Sequence, residues 1–178
     1  LGGAALMAYN CRVEAVGCTF YANVSGQRGS VAHVHTDASI SLTECTVCDN
    51  GKDHSLFSSV GTSALDIRRT IVAFNHGALF DLSGSTTGTV DCSDFFGNGR
   101  GDSITAPLTD GGRNISLDPL FCGVSGSRNY LLRSDSPCFP ANRPDGLWCS
   151  VIGSRPVGCG TTGSRKGSWG AVKGIHPR

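Results

Sequence analysis

The stretch Val31-Ala-His33-Val-His35-Thr-Asp37 carries two imidazoles and a carboxylate at every second position. Side chains alternate between the two faces of an extended strand, so His33, His35 and Asp37 share one face and Ala32 and Val34 the other. Imidazole nitrogens beside a carboxylate suit zinc or another divalent ion, or acid–base work near neutral pH. The same alternation also describes the polar outer face of a solvated strand, and a fourth ligand would have to come from a neighbouring segment. His33, His35 and Asp37 are candidate ligand-binding residues, and no metal site is assigned.

A second set is Asp66, Arg68 and Arg69. Asp66 paired with Asp91 or Asp94 on an adjacent segment would supply two carboxylates for glycoside hydrolysis, which needs them ~5 Å apart to retain configuration and ~6.5–9.5 Å apart to invert it. Asp66 and Arg68 are candidates for gripping a sugar acid, with ordinary surface charge as the alternative. No G-x-S-x-G elbow and no phosphate loop is present, so no catalytic residue is assigned. Arg100-Gly-Asp102-Ser spells an adhesion tetrapeptide, read as a coincidence of a turn. Asn23-Val-Ser25 and Asn114-Ile-Ser116 match glycosylation sequons, although both asparagines have structural roles in this reading.

The elements that must position these side chains announce themselves by a repeat. Asn23, Asn50, Asn75 and Asn98 follow one another at spacings of 27, 25 and 23 residues. Each ends a similar segment, with Cys18, Cys45, Thr70 or Cys92 five or six residues earlier. A period of this length means a solenoid, in which each unit buries its apolar face only by stacking on its neighbours. Ile40-x-Leu42-x-x-Cys45-x-Val47 also fits a leucine-rich repeat. The return segments Gly29–His35 and Ser55–Val60, however, are short alternating strands rather than helices. An all-β parallel β-helix of about four to five coils is therefore expected. Val13, Ala15, Cys18 and Phe20 should stack inward on Ile40, Leu42, Cys45 and Val47, and these on Leu65, Ile67, Thr70 and Val72. The asparagines should form a structural ladder at a sharp, left-handed turn.

Composition agrees. The chain of 178 residues holds 25 Gly and 16% charged residues, with too few Glu and Lys for long amphipathic helices. No run approaches the ~20 apolar residues of a membrane span. The segment 160–178 carries a charge of +4 and the remainder −3, which is not the footprint of a nucleic-acid binder. Nine cysteines point to an oxidising compartment. Residues 1–121 read as coils, 122–159 as a Cys-rich cap and 160–178 as a flexible basic tail. Among Cys122, Cys138, Cys149 and Cys159 three pairings are open, and the sequential one, Cys122 with Cys138 and Cys149 with Cys159, is the expectation.

From Asn98 onward the chain resembles the end of the right-handed parallel β-helix repeat proteins of bacteria, a pectate-lyase-like fold. The residues that carry the resemblance are Gly-Asn98-Gly-Arg-Gly-Asp102, Asn114-Ile-Ser-Leu-Asp118-Pro-Leu-Phe121-Cys122, Tyr130-Leu-Leu-Arg-Ser134-Asp-Ser-Pro-Cys138 and Ile152-Gly-Ser-Arg-Pro-Val-Gly-Cys159. Trp169-Gly-Ala-Val-Lys173 resembles a short ending found on some exported members. The resemblance implies the C-terminal part of a longer secreted or cell-surface protein that faces polysaccharide or cell-surface glycan. The expected role is non-catalytic: glycan binding, adhesion or structure. The alternative is a polysaccharide lyase or glycoside hydrolase whose catalytic coils lie partly outside this stretch. No cofactor is expected, and calcium would enter only with a lyase.

Overall fold

The computed structural model describes residues 4–52, 54–123 and 129–160; the expected tail lies outside these apart from Gly160. Each coil has three short strands joined at three corners. The first coil contains β1 (Leu6–Ala8), β2 (Arg12–Val16) and β3 (Thr19–Tyr21). The second repeats them as β4 (Ala32–Val34), β5 (Ala38–Thr43) and β6 (Thr46–Cys48). In the third they are β7 (Phe57–Ser59), β8 (Ser63–Arg68) and β9 (Ile71–Ala73). The fourth splits its middle strand, giving β10 (Phe80–Leu82), β11 (Thr86–Thr87), β12 (Thr89–Asp91) and β13 (Asp94–Phe96). A fifth coil is reduced to β14 (Thr109–Asp110) and a bridge from Ile115 to Asp94, and the closing segment adds the paired strands β15 (Leu132–Arg133) and β16 (Val157–Cys159).

Like strands of successive coils pair in parallel to form three walls, β1-β4-β7-β10, β2-β5-β8-β12-β14 and β3-β6-β9-β13. The stack makes about six turns, counting the reduced fifth coil and the closing segment. The only helical element among the described residues is the 3-10 turn Pro140–Asn142, so the leucine-rich alternative does not apply.

The inward register is the expected one except at Cys18, which is exposed on the first coil. Val13 faces Ile40 and Ile40 faces Leu65; Ala15, Leu42 and Ile67 form the next row; Phe20, Val47, Val72 and Phe95 form the third. These side chains make one continuous core that no single coil could bury. Its ends are open only to partial degree, with Val13 and Phe20 half-buried on the first coil.

The asparagine ladder exists, but its geometry differs from the expectation. The left-handed residue is the one before each asparagine: Ala22, Asp49, Phe74 and Gly97 have φ of 54°, 55°, 56° and 65°. The asparagine itself turns inward and satisfies the corner. Asn75 Nδ2 donates to Val47 O, Ala73 O and Asn98 Oδ1, while its Oδ1 accepts from Asn50 N and Nδ2. The ladder ends on Asp102, whose carboxylate accepts from Gly97 N, Asn98 N and Asn98 Nδ2. That use of Asp102 accounts for the Arg-Gly-Asp string as a ladder cap.

A second polar ladder occupies the next corner. Cys45 N donates to Thr70 Oγ1, Thr70 N to Ser93 Oγ, and Ser93 N to Asn114 Oδ1. Cys92 is thus one residue out of the row assigned to it from sequence; Ser93 fills the inward position. Cys92 stands at the preceding left-handed site, φ 51°, level with Glu44 and Arg69, from which its sulfur reaches outward.

The disulfides differ accordingly: Cys92 pairs with Cys149 and Cys122 with Cys159, in place of the sequential pairing. Cys138 is a free, buried thiol, held on the third wall by Asp94. The closing segment is a strap laid along that wall. From Cys149 on the fourth coil it runs back through Gly153, whose N–H donates to Arg69 O, to Ser154, which bonds Thr46 Oγ1 and Thr19 Oγ1. The outward positions beneath it are covered for that reason: Thr46, Cys48, Ile71, Ala73 and Asp94 are all buried. With Tyr130, Leu132, Cys138 and Ile152 several of them form a second core outside the solenoid.

Candidate functional site

With the third wall covered, the first wall is the face where outward side chains of different chemistry meet. Its register sets Met7 beside His33, His33 beside Ser58 and Ser58 beside Asp81, one from each coil. Parallel neighbours are ~4.8 Å apart, so side chains four coils deep share one surface. Next to this row lies a recess of about 490 Å³ lined by Met7, Gln27, Arg28, His33, His35 and His54. Gln27 and Arg28 come from the bend before β4, and His54 from the matching bend of the next coil. Gly29 N donating to Ser55 Oγ, 26 residues on, holds those bends in step.

Each polar group has a defined setting. His33 Nδ1 lies 2.7 Å from Ser58 Oγ. A hydroxyl can accept or donate, so this contact survives in either protonation state of the ring. Partial burial, with His35 and Arg28 adding like charge, holds the His33 pKa below that of an ordinary histidine. His35 Nδ1 accepts Thr36 N–H at 2.9 Å, so the neutral ring presents Nε2–H. The His33 and His35 rings are 6.0 Å apart and the Tyr9 ring lies 5.0 Å from His35. Arg28 Nε is anchored by Asp81 Oδ2 at 3.0 Å.

The structure brings His33 and His35 together and leaves Asp37 out. The strand ends at Val34, and Asp37 stands at the left-handed corner, φ 53°, where it lines a shallow recess with Arg12 and Ser39 on the second wall. Alternation does not continue through a corner, so the expected shared face fails at that residue. Among the described residues no group of three His, Cys, Asp or Glu side chains is arranged to hold a metal ion.

The acidic candidates also separate. Asp66 faces outward on the second wall and its Oδ1 accepts from Thr89 N; Arg68 is level with Asp91 on the next coil. Asp91 is gripped by Arg113 through Nε at 3.0 Å and Nη2 at 2.5 Å. Asp94 belongs to the third wall and is fully buried under the strap, so it faces neither Asp66 nor solvent. The Asp66–Asp94 pairing is therefore absent, and Asp91 is committed to an ion pair. Arg69 joins Glu44 on the neighbouring coil.

Sequence reasoning missed Tyr9, Gln27, Arg28 and His54. Tyr9 and His54 were signalled by the coil period, lying one coil from His35 and from Arg28, whereas Gln27 and Arg28 sit in the bend just before the His33 strand. Comparison with family profiles, with curated proteins and with solved structures found no match to this chain. The two disulfides point to an oxidising, extracellular environment, and no helix among the described residues is long and apolar enough to cross a membrane.

Proposed function

We propose that this chain is an extracellular β-helix that binds a glycan without cleaving it, along the first wall. The observation that carries the reading is the recess itself: Gln27, Arg28, His33, His35 and His54 converge from two adjacent coils on one open depression, with the Tyr9 ring against its edge. Sugars present hydroxyls to planar polar side chains and C–H faces to rings, and a recess of a few hundred Å³ with few convergent polar groups is the usual form of a ligand site. A solenoid wall also matches a polymer in shape, since it offers similar positions at a fixed repeat. The oxidising environment and the resemblance to exported β-helix proteins support the location. Fold alone assigns no activity, and the adhesion and structural roles would both work through such a surface.

The test is retention on gels bearing pectins, alginates or glycosaminoglycans. Wild-type chain should be retarded by at least one, and Arg28→Ala and Tyr9→Ala should each reduce retardation while leaving thermal unfolding unchanged. Release of oligosaccharide by the purified chain would replace this reading with an enzymatic one, and retardation unaffected by either substitution would move the site elsewhere.

A further inference from the structure

We infer that the first-wall recess captures an acidic glycan in a proton-gated manner, with His33 as the gate. This rests on the glycan reading above and adds the charge class of the ligand and its control. The fixed charges facing the recess cancel, because Arg28 is paired with Asp81 at 3.0 Å. What remains is the His33 ring, with His35 of the same coil, His54 of the third, the Tyr9 ring and the neutral Ser58 hydroxyl beside it. Near neutral pH the His33 ring is neutral. Protonation of His33 adds positive charge, and no acid is among the described residues that line the recess, Asp81 being held by Arg28 beside it.

The three histidines are not equivalent. His35 Nδ1 already accepts the Thr36 N–H. At His33, by contrast, Ser58 Oγ can turn from donor to acceptor and keep the 2.7 Å contact. The lowered pKa of His33 sets the same direction: the ring is neutral at neutral pH and charges only in acid. A carboxylate or sulfate lying in the recess would offset the repulsion from His35 and Arg28 that opposes this proton. By linkage, an anion that favours the protonated ring must bind more tightly as the ring becomes protonated, up to about tenfold per pH unit for one linked proton.

The experiment measures affinity of the whole chain for alginate (carboxylate), chondroitin sulfate (carboxylate and sulfate) and dextran (neutral) at pH 7.5 and pH 5.0. The expected result is roughly tenfold or greater tightening for the anionic polymers at pH 5.0, no such change for dextran, and a flattened pH profile in His33→Gln, which keeps a hydrogen-bonding partner for Ser58 but cannot titrate. Alginate and chondroitin sulfate tightening alike identify carboxylate as sufficient; tightening with chondroitin sulfate alone assigns sulfate. Anionic binding that is independent of pH, or a profile unchanged in folded His33→Gln, overturns the gate and leaves the glycan reading standing. Absence of binding to every polymer at both pH values overturns the glycan reading itself.

Discussion

Asp94 makes the stability of this solenoid depend on pH in a direction opposite to most acidic residues. Its side chain is fully buried between the third wall and the strap. Oδ1 accepts from Leu117 N at 3.1 Å and Oδ2 from the Cys138 thiol at 3.2 Å. Burial pushes its pKa up from an ordinary 3.8 to about 7, with the amide and thiol bonds opposing the rise, and Asp102 and Asp118 adding like charge. A raised pKa means that the folded chain holds a proton the unfolded chain has released. Its contribution is therefore present in full below about pH 4, is lost as pH climbs to about 7, and stays lost above. That interval corresponds to roughly 4 kcal/mol, or about 10 °C in Tm for a chain of this size. Asp94→Asn keeps an oxygen for Leu117 N and removes the titration. Thermal unfolding of both proteins at half-unit steps from pH 4 to 8, disulfides intact, isolates the effect as a difference, because groups such as Asp145, whose pKa is lowered by Arg143, cancel. The substituted chain should gain on wild type by most of that amount between pH 4 and pH 7.5. A difference that stays constant across the range would show that Asp94 does not change protonation there, and would refute the account of how the strap is seated.

Three further outcomes follow from the packing. Asn75→Ala strips partners from Val47 O, Ala73 O and Asn50 N in the buried ladder; at about 1–3 kcal/mol for each unsatisfied group, a loss of at least ~3 kcal/mol is expected in urea unfolding. Gly88 has φ 150° and a Cβ there would run into the Leu65 carbonyl of the coil below, so Gly88→Ala should lower Tm by at least about 5 °C, equivalent to ~2 kcal/mol. Replacing Cys149 with Ser opens a link of 57 residues and should cost about 4 kcal/mol by chain entropy, with early proteolysis in 139–160 as the local sign; unchanged cleavage would show that the strap is held without it.

What the sequence disclosed and what it concealed divide along the solenoid axis. Inward rows such as Val13–Ile40–Leu65 and the asparagine spacing were legible because each coil solves the same packing problem with the same residue types. Corners were legible to within one residue, and that one residue mattered. It moved Cys92 out of the core row and into a disulfide, and it carried Asp37 off the wall that holds His33. The strap was not legible at all, since its contacts join Asp94 to Cys138 across 44 residues and Thr19 to Ser154 across 135, with no periodic signal at either end. Once the strap is placed, it reassigns the outward side chains. Cys48, Ile71 and Ala73 become core, and Asp94 becomes a buried acid rather than a surface carboxylate. The row Met7, His33, Ser58 and Asp81 lies outside the core, with only Ser58 buried, and repeats nothing from coil to coil. Stacking cannot account for that variation, because outward side chains contribute little to the core. Binding can account for it on the first wall, where the unrepeated side chains border a recess.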